Sequence, residues 1–462
     1  MDNKLKAEQW LYVLFVASLP FATLPQLRFF DKTVQLSDLL FLASAAVWAL
    51  TILAKREKLI WSWFYLCLAA YAFSAILSTI TSVDPSQSSV KLFGKFYLIG
   101  LSFLTFNILT STSMLKRVLQ AWIFGAAIVL VFSLLGIILF YAGLKDPFQN
   151  IVVHPVFGSL PAGNYPRIEG FFSHPAMFCN YLGVTWMFAL LLTSVGWLKT
   201  RSFWVLSAAL FVVDLFTLTP GLGGIFLGAG YFFHGKFQKS QKPALGRLVL
   251  ASGVLASSAF FFAAAFTIFV FNENGRRIPL ANGEIIPSHR AVAWSGAFET
   301  FLQNPILGYG IDMPITKSEF TGPFGNRHLL TDAHNTYLSV LGETGLVGFL
   351  AFFSIICFVT LSLMWWKAET DFHKTIKICL LLALLDAFFY QSLTGSYEDS
   401  RHLWVLLGIA AAACKNSLVE PTNVQESGAT AAPLHTDPVV GVRSPDNSDG
   451  FSINRKYSAP FR

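Results

Sequence analysis

Residues 118–142 read VLQAWIFGAAIVLVFSLLGIILFYA, a run of 25 without a single charged side chain. About 20 apolar residues in helical geometry cross the hydrocarbon core of a bilayer, so this stretch predicts a membrane span. Outward from it the same signal recurs. Candidate spans lie near 10–27, 36–54, 60–80, 92–110, 118–142, 174–196, 203–218, 219–234, 245–271, 336–366, 375–395 and 402–414, about twelve in all. The seventh and eighth are short and are separated by Pro220-Gly221, so a re-entrant pair at 203–234, giving eleven spans, is the other count. The expectation is an all-α polytopic membrane protein.

Composition agrees. The 462 residues are 54% apolar and 13% charged, against about 45–50% and about 25% in soluble domains. Mean hydropathy is +0.56, and 46 Phe, 12 Trp and 13 Tyr stand where a soluble protein would carry charge. A soluble enzyme, a secreted disulfide scaffold and a disordered chain are excluded. The five cysteines (Cys67, Cys179, Cys357, Cys379, Cys414) lie in apolar runs without metal-ligand spacing and read as small hydrophobes. No His-Glu-x-x-His pattern is present, and no metal or other cofactor is expected.

The net charge of +7 has a topological meaning. With both termini cytoplasmic, the inward loops carry Lys55, Arg56 and Lys58; Lys116 and Arg117; Lys199 and Arg201; Lys236, Lys239, Lys242 and Arg247; and Lys367, Lys374 and Lys377. That is the positive-inside pattern. The organisation follows: spans one to nine over 1–271 with an outward segment near 143–170, a large periplasmic loop over 272–335, three further spans over 336–414, and a polar tail over 415–462 that reads as disordered.

The two long outward segments break the charge rule. The first carries Arg167; the second carries Arg276, Arg277, His289, Arg290, Lys317, Arg327, His328 and His334. Long loops translocate largely regardless of charge, so a solvated hairpin of mixed charge is one reading. The other is a basic pocket for an anionic headgroup, because the planar guanidinium fork matches phosphate oxygens. Counted from His334, Leu338, Leu341, Gly345 and Gly348 fall on one helical stripe, which would let a neighbour approach closely. Arg290 and Trp294 stand one turn apart in a short predicted helix, and Asn304-Pro305 ends it. Glu343, Asp214, Asp386 and His174 are titratable groups in or beside apolar runs, each a structural partner or a functional group. Pro220-Gly221-Leu222-Gly223-Gly224 lacks the Lys and Ser/Thr of a phosphate loop and reads as close packing between spans.

These residues resemble the bacterial O-antigen ligase and O-antigen polymerase superfamily. His334-Asn335, nine residues, then Gly345-Leu346-Val347-Gly348 is similar to the ligase pattern; Arg167 with Gly170-Phe171 before Pro175, and Arg290 with Trp294 and Pro305-Ile306-Leu307-Gly308-Tyr309-Gly310, look like two further family stretches. The resemblance covers roughly 167–397. Ala176 and Thr219-Pro220-Gly221 depart from it. It implies a GT-C-like architecture and transfer of a glycan from undecaprenyl diphosphate to a hydroxyl of lipid A-core or a similar acceptor, metal-independent and inverting, on the periplasmic face of the inner membrane. In that scheme Arg167 and Arg290 hold the diphosphate and His334 acts as base or acceptor-orienting group, with Asn335, Arg327, His289 and Trp294 at the substrate. A polymerase would use the same chemistry. A reading from another class, an anion transporter, expects a mid-membrane polar path on Asp214, Glu343 and Asp386. The cation-rich outer loops favour the enzyme.

Overall fold

A computed structural model describes residues 5–23, 27–29, 32–56, 59, 61–144, 153–154, 166–219, 221–270, 278–280, 283–285, 290–321, 327–393, 395–396 and 398–415. The predicted tail beyond Lys415, and Arg276, Arg277 and His289, lie outside these residues.

The chain is an all-α polytopic membrane protein. Its helices are α1 (Ala7–Ser18), α2 (Leu36–Lys55), α3 (Trp63–Ile80), α4 (Pro85–Ile108), α5 (Thr112–Tyr141), α6 (Pro175–Ser194), α7 (Thr200–Thr217), α8 (Leu222–Lys239), α9 (Pro243–Val270), α10 (Arg290–Gln303), α11 (Thr336–Trp365), α12 (Asp371–Leu384) and α13 (Arg401–Ala413). α12 continues through a π-turn (Leu385–Tyr390) and a 3-10 turn (Gln391–Leu393). Among the described residues nine helices are long and apolar enough to cross a membrane. The shorter α1 and α13 and the less apolar α8 occupy the other three predicted spans. α1 stops at Ser18, well before the expected 27, where the chain turns at Leu19-Pro20.

α6 is the centre of the bundle. Its sequence is apolar around the whole circumference, the pattern of a helix enclosed by others, and all of residues 175–192 except Met177 are buried. It packs on α5, α7, α8 and α12. Leu50, Leu53, Phe73 and Phe93 instead face outward on α2, α3 and α4, as lipid-facing positions do. Cys179 and Cys379 are buried, while Cys67, Cys357 and Cys414 are half-buried.

The glycine-rich stretch before and within α8 provides close packing, as expected. A side chain at Gly224 would collide with the Asp386 carboxylate, and one at Gly223 with the Tyr390 ring.

Strands were not expected. Among the described residues, four two-stranded antiparallel pairs occur, joining Leu27–Phe29 with Lys32–Val34, Val153–His154 with Arg167–Ile168, Ile278–Leu280 with Gly283–Ile285, and Ser318–Thr321 with Arg327–Leu330. All lie between helices on the side that the charge pattern assigns to the outside.

α11 departs from the predicted continuous helix. It begins at Thr336 with Asn335 as N-cap, so His334 precedes the helix, and Gly345 (φ 63°, ψ −166°) interrupts it. The cause is tertiary. The stretch Pro305–Gly310 lies against the break and supplies the missing bonds: Leu346 N donates to Pro305 O (2.8 Å) and Val347 N to Ile306 O (3.2 Å), while Tyr309 N donates to Gly342 O (2.9 Å) and Gly310 N to Glu343 O (3.0 Å). A Cβ at Gly345 would meet the Ile306 carbonyl. Gly345 thus admits a loop backbone rather than a neighbouring helix, and it ties the large loop to α11.

Candidate functional site: a cationic mouth over three helix N-termini

The approach to α6 is fixed by aromatic anchors. Phe171 and Phe172 are both buried. Phe172 stacks on Phe178 (5.4 Å between ring centroids) and Phe171 on Phe21 (5.6 Å). Thr23 donates from its N and its Oγ1 to Phe171 O (3.0 and 3.1 Å). Gly170 takes φ +60° to make the turn, and a Cβ there would press on the Phe178 ring. Arg167, just upstream, is held in the short hairpin opposite His154. Its Nε donates to Thr217 O (3.2 Å) at the C-terminus of α7, where the helix dipole favours a cation.

His174 caps α6: its Nδ1 accepts from Ala176 N (3.1 Å). The His334 ring lies 6.3 Å away, centroid to centroid. Asn335, expected at the substrate, commits its Oδ1 to the α11 cap, accepting from Tyr337 N (3.0 Å) and Leu338 N (3.1 Å). Arg290 is the first residue of α10, and its charge bears on Arg167, His174 and His334 alike. Arg167, Arg290 and His334 therefore lie within electrostatic reach of one another at one end of the bundle. The N-termini of α6, α10 and α11 meet there too, and helix N-termini favour anions.

His334 stands at φ +48°, a strained value for a residue with a Cβ. Asp332 holds it. Asp332 Oδ1 accepts from His334 N (3.2 Å), Ser339 Oγ (3.0 Å) and Ser396 Oγ (2.7 Å), and Oδ2 stands 3.6 Å from His334 Nδ1. A proton on Nδ1 is the one this carboxylate attracts, which leaves Nε2 as the basic nitrogen. Sequence reasoning missed Asp332, although a carboxylate two residues before a candidate base was the available signal.

Electrostatics follow from crowding. Desolvation, then the charges of Arg167 and its neighbours, pushes His174 down to about 4. Burial also lowers His334; Asp332 opposes the shift while Arg290 and Arg167 add to it. Burial and Arg290 lower Arg167, which stays charged near neutrality. The mouth presents two guanidinium groups and two neutral imidazoles, with the carboxylates of Asp332 beside His334 and Glu169 near Arg167.

The other expected residues divide. Trp294 packs beside Ala297, Ile315 and Ala333, anchoring α10 to the residue before His334. Arg327 lies in a strand paired with Ser318–Thr321, and His289 is outside the described residues. The three carboxylates of the transporter reading have separate partners. Glu343 lies 4.0 Å from Lys95, Asp386 accepts from Gln391 Nε2 (2.9 Å), and Asp214 bonds with Cys179.

A second charged cluster was not anticipated. Lys95, 1% exposed, lies 2.7 Å from Asp399, 3.9 Å from Glu398 and 4.0 Å from Glu343. Lys91, one turn away on α4, lies 2.8 Å from Asp399 and 3.5 Å from Asp312. Burial works against Asp399, yet Lys95 and Lys91 hold it well below the usual carboxylate range.

Residues 186–353 match the model of a family described as O-antigen ligase. The match includes Arg290 and His334 but not Arg167. No curated protein matches the chain.

Proposed function

We propose that this chain, whose residues 186–353 match the O-antigen ligase family, acts as a member of that superfamily and transfers a glycan from undecaprenyl diphosphate to a hydroxyl of lipid A-core or a similar acceptor, on the periplasmic face of the inner membrane. The observation that carries this reading is the meeting of Arg167, Arg290 and His334 over the N-termini of α6 and α11.

A sugar diphosphate gains negative charge on its bridging oxygen as the glycosidic bond breaks. Two fixed guanidinium groups in a partly desolvated site stabilise that charge as it develops, which is the role of preorganised electrostatics. By the family resemblance, Arg327 and His289 in the same stretch of sequence would be further donors. The acceptor oxygen bonds to the anomeric carbon from the face opposite the diphosphate. The bond from that carbon to the diphosphate oxygen breaks, and its electron pair leaves with the diphosphate. The acceptor proton passes to Nε2 of His334, whose neutral form is favoured by its surroundings. The result is inversion, with the charge work done by arginine rather than by a metal ion. Asp332 orients the ring through the backbone and Nδ1. The alternative is a polymerase, which uses a second lipid-linked glycan as acceptor.

The test is reconstitution in vesicles with undecaprenyl-diphosphate-linked glycan and either lipid A-core or a second donor. Addition of one unit to lipid A-core is expected. A ladder on the second donor identifies the polymerase, and no transfer with either acceptor overturns the glycosyltransferase reading.

A further inference from the structure

A cavity of about 340 Å³ lies between α10 and the segment that follows it. One wall is a single face of α10. Gly296, Glu299, Thr300 and Gln303 stand at i, i+3, i+4 and i+7, the spacing that aligns side chains on a helix. Ala293 and Ala297, along the edge of this face, are buried. The opposite wall is the return of the chain, with Tyr309, Thr316 and Lys317.

That wall is fixed in place. Thr300 Oγ1 donates to Ile315 O (2.8 Å). Tyr309 N is bonded to Gly342 O on α11 (2.9 Å). Ile315 itself packs with Ala297 and Ala333. The cavity therefore shares its framework with the break at Gly345 and with the residue preceding His334, and it is preorganised rather than a gap between loose loops.

Its chemistry selects a ligand class. Ligand pockets for hydrocarbon-rich molecules are lined mostly by apolar side chains. This one offers a carboxylate, an ammonium group, an amide, two threonines and one phenol ring. The single acid and single base offset one another, so it is not an anion site like the mouth. Interspersed donors and acceptors with one aromatic face suit a ligand covered in hydroxyl groups. Position agrees: α10 begins with Arg290, and at about 1.5 Å per residue Gly296 lies about 9 Å and Gln303 about 20 Å further along its axis.

We propose that this cavity binds a saccharide, the part of a substrate glycan that lies away from the reacting carbon. The proposal rests on the glycosyltransferase reading and extends it to a glycan subsite formed by α10 and the chain after it. The saccharide belongs either to the donor or to the acceptor.

The test uses full-length His334→Ala protein, so that binding is read without turnover. Lipid-free repeat-unit oligosaccharide and lipid-free core oligosaccharide are titrated separately by calorimetry. One is expected to bind, and Glu299→Ala with Gln303→Ala in the same protein should weaken it about tenfold, as the loss of one or two hydrogen bonds does. The saccharide affected identifies the source. In otherwise wild-type protein the double variant should raise KM for the same substrate with kcat unchanged. Binding of neither saccharide, or unchanged affinity in the double variant, overturns the proposal. Absence of transfer by the wild type with saccharide binding intact counts against the reaction instead, and leaves the cavity assigned.

Discussion

At the Lys95 cluster each lysine sits against carboxylates, and at the mouth Arg167 and Arg290 are held near enough to oppose each other's charge. Both regions lie at the same end of the bundle, and both bury ionisable groups. The difference lies in balance: carboxylates surround each lysine in the first, whereas in the second two arginines oppose each other beside Glu169 and Asp332. Opposite charges brought together join elements: Lys91 and Lys95 link α4 to the turn before α13, to the loop after α10 and to α11. Like charges brought together oppose folding, and they persist because helix termini and aromatic anchors over-determine the backbone around them. Their cost is offset when an anion arrives. Close matching of charges marks architecture here, and an excess of guanidinium charge marks a binding site.

The largest expected effect is on chemistry. Arg290→Ala and His334→Ala should each reduce glycan transfer by at least about 10²-fold, the scale of losing one preorganised electrostatic group. Melting temperature in detergent, read beside the assay, separates a loss of chemistry from a loss of fold. Transfer retained in both variants would remove the mouth as the site.

Lys95→Met should do the reverse. It leaves Asp399, Glu398 and Glu343 without their shared cation, a loss of about 3–5 kcal/mol for a broken buried pair. Thermal unfolding should show it before any assay does. A variant as stable as wild type would mean that the cluster does not clamp the fold.

Gly345→Ala acts on the loop contact rather than on a charge. Backbone strain at φ +63° costs about 1–3 kcal/mol, and the Cβ would collide with the Ile306 carbonyl, so that the loop backbone must also shift. Hydrogen exchange at Leu346 and Val347, whose amides bond to Pro305 and Ile306, is the direct readout. Unchanged protection would separate the loop from the helix break.

The smallest effect is a pH shift. A general base acts in its neutral form, so transfer should rise as pH climbs through the His334 pKa, which lies below the usual 6.5. Asp332 is the group that favours the protonated ring. Asp332→Asn should therefore move the acid limb of the kcat/KM profile to lower pH and reduce kcat. A limb that moves upward, or does not move, contradicts the orienting role.

The spans were legible because hydropathy is a local property. Each of the twelve expected positions carries a helix, and the signal at 118–142 alone was sufficient to begin. The arginine and histidine positions were legible as violations of the charge rule. The break in α11 was not, because Gly345 and Gly348 three residues apart read equally well as a packing stripe; the positive φ is imposed by bonds from Pro305–Gly310, remote in sequence. Lys95, inside the expected span 92–110, and Lys91, just before it, were passed over, since their carboxylates come from segments that only the fold brings near. The hairpins are two to four residues per strand, too short for an alternating pattern.

The central claim is tested most directly by the melting temperature of the protein titrated with undecaprenyl diphosphate, because a ligand that relieves the repulsion between Arg167 and Arg290 must stabilise the folded state. The account predicts a concentration-dependent rise in wild type, its loss in Arg167→Ala and Arg290→Ala, and its retention in Lys91→Ala. A rise that survives both arginine changes and disappears with Lys91 would contradict it.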